Sequence, residues 1–249
     1  MSGRWFILGV LGTVVASSSP ALAQANGALS SAPFGPPVDD QQIYAHLILN
    51  QFEGRFGAKN IFRWSGEAWA GTNTNRLWVR SEGNTNAHGG IEDSQQEVFY
   101  DRPITPFFDL QAGLRSDLDS KAGRTWAAFG VQGLAPYFFE VSATAYMSDS
   151  GHYAAKFEGS TDWLLTQRLI LQPQIEMNFY TRDDPRRAIG AGLSDLDTGL
   201  RLRYEFTRKF APYVALTYSS MFGGTADFAR EAGQRTDNVR LTIGIRLWI

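Results

Sequence analysis

The 249-residue chain has no cysteine, which excludes a disulfide framework, thiolate chemistry and any Cys-ligated metal centre. Histidine and methionine are scarce, at three and four residues, so imidazole and thioether ligands are few. Beyond Ala16 no apolar run approaches the roughly 20 residues a spanning helix needs. The formal charge of -2 and the lack of a basic run argue against nucleic acid as a partner. No G-x-S-x-G elbow, H-E-x-x-H pair or P-loop is present, and Gly190-Ala191-Gly192 reads as a glycine-containing loop rather than a phosphate cradle. These absences point to a protein that is not an enzyme.

What the chain does contain is two-residue alternation. From Asn238 to Ile249, Val239, Leu241, Ile243, Ile245, Leu247 and Ile249 share one face, and Asn238, Arg240, Thr242, Gly244, Arg246 and Trp248 share the other. A strand with one fully apolar face and arginines on the other is expected of a closed barrel, with lipid outside and a wet lumen inside. The N-terminus agrees with that compartment. A short basic segment (Met1–Arg4), an apolar run (Trp5–Ala16) and Ala21-Leu22-Ala23 read as a signal peptide over residues 1–23. Residues 24–42, rich in Ala, Ser, Gly and Pro, read as a flexible periplasmic lead.

From residue 43 to residue 249 the alternation recurs in about twelve segments. They span 43–56, 61–71, 76–84, 92–102, 107–118, 124–133, 137–148, 152–164, 168–180, 193–206, 211–222 and 236–249. Short connections such as 72–75, 103–106 and 134–136 alternate with longer polar ones such as 84–91, 181–192 and 223–235. Short periplasmic turns opposite long outer loops are a barrel property. The fold expected is an all-β, transmembrane, antiparallel up-and-down β-barrel in the outer membrane, with lipid as its partner and both termini on the periplasmic side. Two irregularities are expected. Leu47 and Leu49 are out of phase with Phe52 and Phe56, which calls for a bulge near Asn50. Pro173 lies mid-strand and cannot donate to the ladder, which calls for a bulge or kink there.

Several longer segments carry a family resemblance. Arg76 to Gly83 (RLWVRSEG), Asp109 to Gly113, Arg124 to Glu140 (RTWAAFGVQGLAPYFFE), Leu165 to Pro173, Gly192 to Leu196 and Phe222 to Asp227 resemble the copper resistance protein B family of outer-membrane proteins. The matched segments fall between Ile43 and Ile249. The resemblance implies copper resistance or homeostasis, copper ion as the bound or transported species, and periplasmic copper-handling proteins as partners. Many members carry an N-terminal extension rich in Met and His. Residues 24–40 here contain neither.

Two sets of side chains are candidates for copper chemistry. The first comprises His46, His88, Met147, His152 and Met221, since thioethers favour Cu(I) and imidazoles suit Cu(II). His88, Met147, His152 and Met221 fall near loops expected on the outside, where they could converge or serve as ordinary loop residues. His46 falls near the periplasmic mouth. The second set is the charged lumen face: Glu67, Arg76, Glu82, Glu97, Asp109, Arg115, Arg124, Glu140, Glu158, Glu176, Asp197, Arg201, Arg203, Glu205, Arg240 and Arg246. Carboxylates facing a narrow lumen could pass a hydrated divalent cation, and arginines would oppose it. The same residues could instead form an ion-pair network that fills the barrel. A general pore and an adhesion barrel working through loops 182–189 and 225–236 are the alternative functions.

Overall fold

The computed structural model describes residues 42–86, 89–118 and 123–249. The expected signal peptide, nearly all of the lead, and His88 lie outside the described residues.

Among the described residues thirteen strands form one antiparallel sheet that closes on itself. They are β1 (Tyr44–Phe56), β2 (Ile61–Gly71), β3 (Arg76–Asn86), β4 (Ile91–Pro103), β5 (Phe108–Asp117), β6 (Arg124–Ala135), β7 (Phe139–Ser148), β8 (Tyr153–Thr161), β9 (Trp163–Leu164), β10 (Leu169–Tyr180), β11 (Gly192–Tyr204), β12 (Phe210–Met221) and β13 (Asp237–Trp248). Both β8 and β9 pair with β10 in one register, Gln174 opposite Ser160 and Leu171 opposite Trp163. They are two pieces of a single crossing, so twelve strands cross the membrane. Each crossing strand pairs with its sequence neighbour, and β1 pairs with β13 to close the barrel. Closure joins the first strand to the last, which removes the open sheet edges that a lipid environment does not tolerate.

The faces separate as the alternation demands. Leu77, Val98, Leu114, Phe129, Leu216, Leu241 and Ile243 are exposed on the outside, where water would penalise them and hydrocarbon does not. Tyr137, Phe138, Trp163 and Phe206 are exposed near the short-turn end, where the interface favours amphipathic rings. The terminal Ile249 is exposed, and its N–H donates to the Leu47 carbonyl across the seam at 2.9 Å.

The bulge near Asn50 is present. The register of β1 shifts between Leu49 and Gln51 against β2, and between Leu49 and Phe52 against β13. It turns both Asn50 and Gln51 inward. Arg246 Nε donates to Asn50 Oδ1 at 3.2 Å and Arg63 Nε donates to Gln51 Oε1 at 2.8 Å. Of the bulge or kink expected at Pro173, the bulge is absent, since the register on either side of the proline is the same. Its missing N–H leaves a gap in the ladder, and that gap separates β8 from β9. The register shift in β10 comes later, between Asn178 and Phe179.

The connection after β12 also departs from expectation. In place of an irregular loop it holds a helix, α1 (Gly223–Glu231), which buries Thr225, Ala226 and Ala229. Small residues one turn apart let the helix lie close to the loop end of the barrel. The connection 181–191 is tied to it: the Gly190 N–H donates to Thr225 Oγ1 at 2.7 Å. A Cβ on Gly190 would stand 2.3 Å from the Thr225 nitrogen, which is the physical reason for glycine in that loop. Among the described residues no helix is long and apolar enough to cross a membrane.

Candidate functional site: a charged waist between two cavities

One wall of the lumen is filled by rings. Phe99, Trp126, Ala128, Tyr146 and Ala154 form a buried cluster, with Trp78 and Tyr180 packed against it. Phe99 lies over Gly113, where a Cβ would be 2.9 Å from its ring. Two cavities lie in the remaining space. The cavity toward the loop end is about 440 Å³ and the one toward the turn end about 490 Å³. Three carboxylate side chains line both: Glu82, Glu176 and Asp197. They mark a waist.

Every waist carboxylate is held by a cation. Lys156 Nζ lies 2.6 Å from Glu82, 3.1 Å from Glu158 and 3.7 Å from Glu176. Arg63 pairs with Glu176 at 2.7 Å. Arg55 grips Asp197 with two nitrogens, at 2.7 and 3.3 Å, while its Nε donates to Glu53 at 2.7 Å. Glu53 also accepts from the Tyr213 hydroxyl at 2.5 Å, and Arg201 stacks on the Tyr213 ring at 4.7 Å. These contacts join strands far apart in sequence and act as struts across the lumen. Glu158 and Glu176 face each other directly in the β8–β10 ladder. Two like charges so placed repel, and Lys156, two residues along, offsets part of that repulsion.

Toward the turn end, Arg76 reaches Asp109 at 3.0 Å and Asp101 at 3.4 Å. Arg80 lies 3.5 Å from Glu67 and 3.9 Å from Glu97. Arg203 pairs with Asp162 at 2.6 Å and with Glu205 at 3.7 Å. Glu140 is exposed and lines the turn-end cavity, as do Arg201 and Arg246. At the loop end Arg115 pairs with Asp117 at 2.7 Å beneath the Tyr146 ring. Arg240 donates to Ser219 Oγ at 2.8 Å. Arg124 pairs with Asp184 of the 181–191 connection at 2.5 Å. Burial opposes the charged form of Asp184. The hydrogen bond and charge of Arg124, with the charges of Arg187 and His152, outweigh it and hold the carboxyl below the usual carboxylate range.

The thioether and imidazole candidates are dispersed. Met147 is exposed, on the opposite strand face from the buried Tyr146 and Ser148, whereas Met221 lines the loop-end cavity. His152 sits in the β7–β8 turn with Nδ1 3.1 Å from Ser150 Oγ. His46 lies at the turn-end mouth between Trp69 and Trp248, at ring distances of 6.2 and 5.5 Å. Among the described residues, the group of three or more His, Cys, Asp or Glu side chains with metal-ligand proximity is Glu82, Glu158 and Glu176, whose oxygens lie within 4.8 Å of one another.

Sequence reasoning named the waist carboxylates Glu82, Glu158, Glu176 and Asp197 but missed Glu53, Arg55, Arg63 and Lys156. For Arg63 and Lys156 the signal was available: each shares strand parity with an inward glutamate, Glu67 and Glu158. For Glu53 and Arg55 it was available once the phase break at Asn50 is applied, since Phe52 and Phe56 outward put residues 53 and 55 on the inward parity.

Comparison with known proteins places this architecture. The family model for copper resistance protein B precursor matches residues 43–249. A copper resistance protein B from Escherichia coli is 41% identical over 86% of this chain and 72% of its own length. A copper resistance protein B homolog from Pseudomonas syringae pv. tomato is 40% identical over 86% of this chain and 73% of its own length. The solved structure of the NanC porin is similar in fold, with a TM-score of 0.54 and 15% identity, covering 82% of this chain and 99% of that one. Family and fold both point to the outer membrane. With a matched span that takes in the whole barrel, the chain belongs to the copper resistance protein B family.

Proposed function

We propose that this barrel is a non-enzymatic passage for copper ions across the outer membrane, and that it contributes to copper resistance in that way. The observation that carries the reading is the waist: two polar cavities, one toward each end of the barrel, meet at Glu82, Glu176 and Asp197. Carboxylate oxygens suit a hydrated divalent cation, Cu(II) among them, better than a thioether-seeking Cu(I). His46 at one mouth and Met221 in the loop-end cavity are the copper-compatible side chains along the path. The short-turn end, where β1 begins and β13 ends, would face the periplasm, and ions leaving it would meet periplasmic copper-handling proteins.

The test is deletion of the gene, with growth and periplasmic copper measured under copper stress, and complementation by the wild type and by Glu82→Gln/Glu176→Gln/Asp197→Asn. The reading expects both measures to change on deletion and the wild type alone to restore them. Unchanged growth and copper content in the deletion strain would refute it. A general pore is favoured by one observation, the mixed and nearly balanced signs along the lumen. Single-channel conductance that is typical of simple salts and indifferent to copper would select that reading.

A further inference from the structure

Lys156 stands apart from the other cations of the lumen. It is the only lysine on a described strand, where every other inward cation is arginine. Its side chain is nearly buried, at 6% exposure, and its ammonium touches carboxylates from three strands, β3, β8 and β10. Glu82 reaches it from across the lumen, so the contact bridges the waist instead of running along one wall. The arginines nearby are anchored differently. Arg55 holds Asp197 with two nitrogens and Glu53 with a third, and Arg63 is fixed between Glu176 and Gln51. A guanidinium fork resists displacement, whereas an ammonium on a four-carbon stem is a compact point charge that can swing. The oxygens around it have the mutual spacing of a cation site, and that site is filled by part of the protein.

We propose that Lys156 is a tethered counter-cation that sets the charge selectivity of the waist, occupying the Glu82–Glu158–Glu176 cluster until a passing cation displaces it. At the waist, Glu82, Glu158, Glu176 and Asp197 face Lys156, Arg63 and Arg55. Four carboxylates against three cations leave a formal charge of -1, and removing the ammonium makes it -2. Its presence lowers the affinity of the cluster for any mobile cation, so ions are not trapped. Conduction requires binding that is weak enough to release. This inference rests on ions crossing the waist, and not on copper being the ion.

The experiment is the reversal potential of the purified full-length barrel in planar bilayers under a KCl gradient. Removing one unit charge at these distances is expected to raise the K⁺/Cl⁻ permeability ratio of Lys156→Met about tenfold over wild type. Lys156→Arg keeps the charge, so the ratio stays within about twofold of wild type, while its fork resists displacement and lowers the single-channel conductance. Glu158→Gln, which removes a negative charge and leaves the lysine, lowers the ratio. A merely structural ion pair would leave the ratio unmoved in all folded variants, and that result overturns the proposal. So does a wild-type barrel that conducts neither ion while Lys156→Met is equally closed. Folding is checked by heat-modifiable gel mobility. Should Lys156→Met fail to fold, Glu158→Gln decides alone, and an unchanged ratio there overturns the proposal. Copper content unchanged on gene deletion, together with the expected selectivity shifts, would remove the copper reading and leave Lys156 in its role.

Discussion

Arg55→Met is the sharpest perturbation of the barrel's internal framework. Arg55 is 2% exposed and makes three charge-assisted hydrogen bonds, one to Glu53 on its own strand and two to Asp197 on β11. Methionine keeps much of the volume of the stem, so the loss is electrostatic more than steric. Removing one partner of a buried ion pair costs about 3–5 kcal/mol, because the abandoned charge stays buried. Two features move this case to the lower end. Glu53 retains the Tyr213 hydroxyl at 2.5 Å and Arg201 at 3.8 Å. Asp197 is 14% exposed and borders both cavities, so water can reach it. The expected loss is about 3 kcal/mol. Equilibrium urea unfolding in phospholipid vesicles, followed by tryptophan fluorescence, measures it. The Arg55→Met/Asp197→Asn pair should show a coupling of about 1–3 kcal/mol against the two single variants. A loss below about 1 kcal/mol, the level of an exposed ion pair, would refute the claim that these struts are effectively desolvated.

Two further outcomes follow from the same coordinates. Gly113→Val places a Cβ 2.0 Å from the Val98 carbonyl oxygen and 2.8 Å from Phe99 Cα, so backbone must move. The variant is expected to lose about 3 kcal/mol or more and to show impaired heat-modifiable mobility, with near-wild-type stability as the contrary result. The folded-state pKa of Asp184 is lowered, so its contribution to holding the 181–191 connection is complete above about pH 4, the unfolded aspartate value, and is lost as pH falls through the lower folded value. Hydrogen exchange in 181–191 should accelerate over that acidic window in the wild type, and Asp184→Asn should show fast exchange with no such window.

Particular residues show where sequence reading stops. The alternation from Val239 to Ile249 was enough to separate a lipid face from a lumen face, because in a strand the side-chain period is two and lipid accepts only the apolar set. The phase break at Asn50 was legible for the same reason. The effect of Pro173 was not, since a missing donor can be absorbed as a bulge or as a gap in the ladder, and the neighbouring strand decides which. Helix α1 was missed because a nine-residue segment opening on two glycines has little helical signal until a barrel rim exists for Ala226 and Ala229 to cover.

The sequence by itself determined the barrel class, the approximate strand count, the inward side of most charges and the family, because these depend on local periodicity and on ordered segments of residues. Only the tertiary structure decided which charges meet. Lys156 and Glu82 are 74 residues apart, and Arg55 and Asp197 are 142 apart. Their contacts exist because closure of β1 on β13 bends the sheet until opposite walls face each other at side-chain distance. The waist, the two cavities that meet at it and the lysine set among three glutamates are products of that closure.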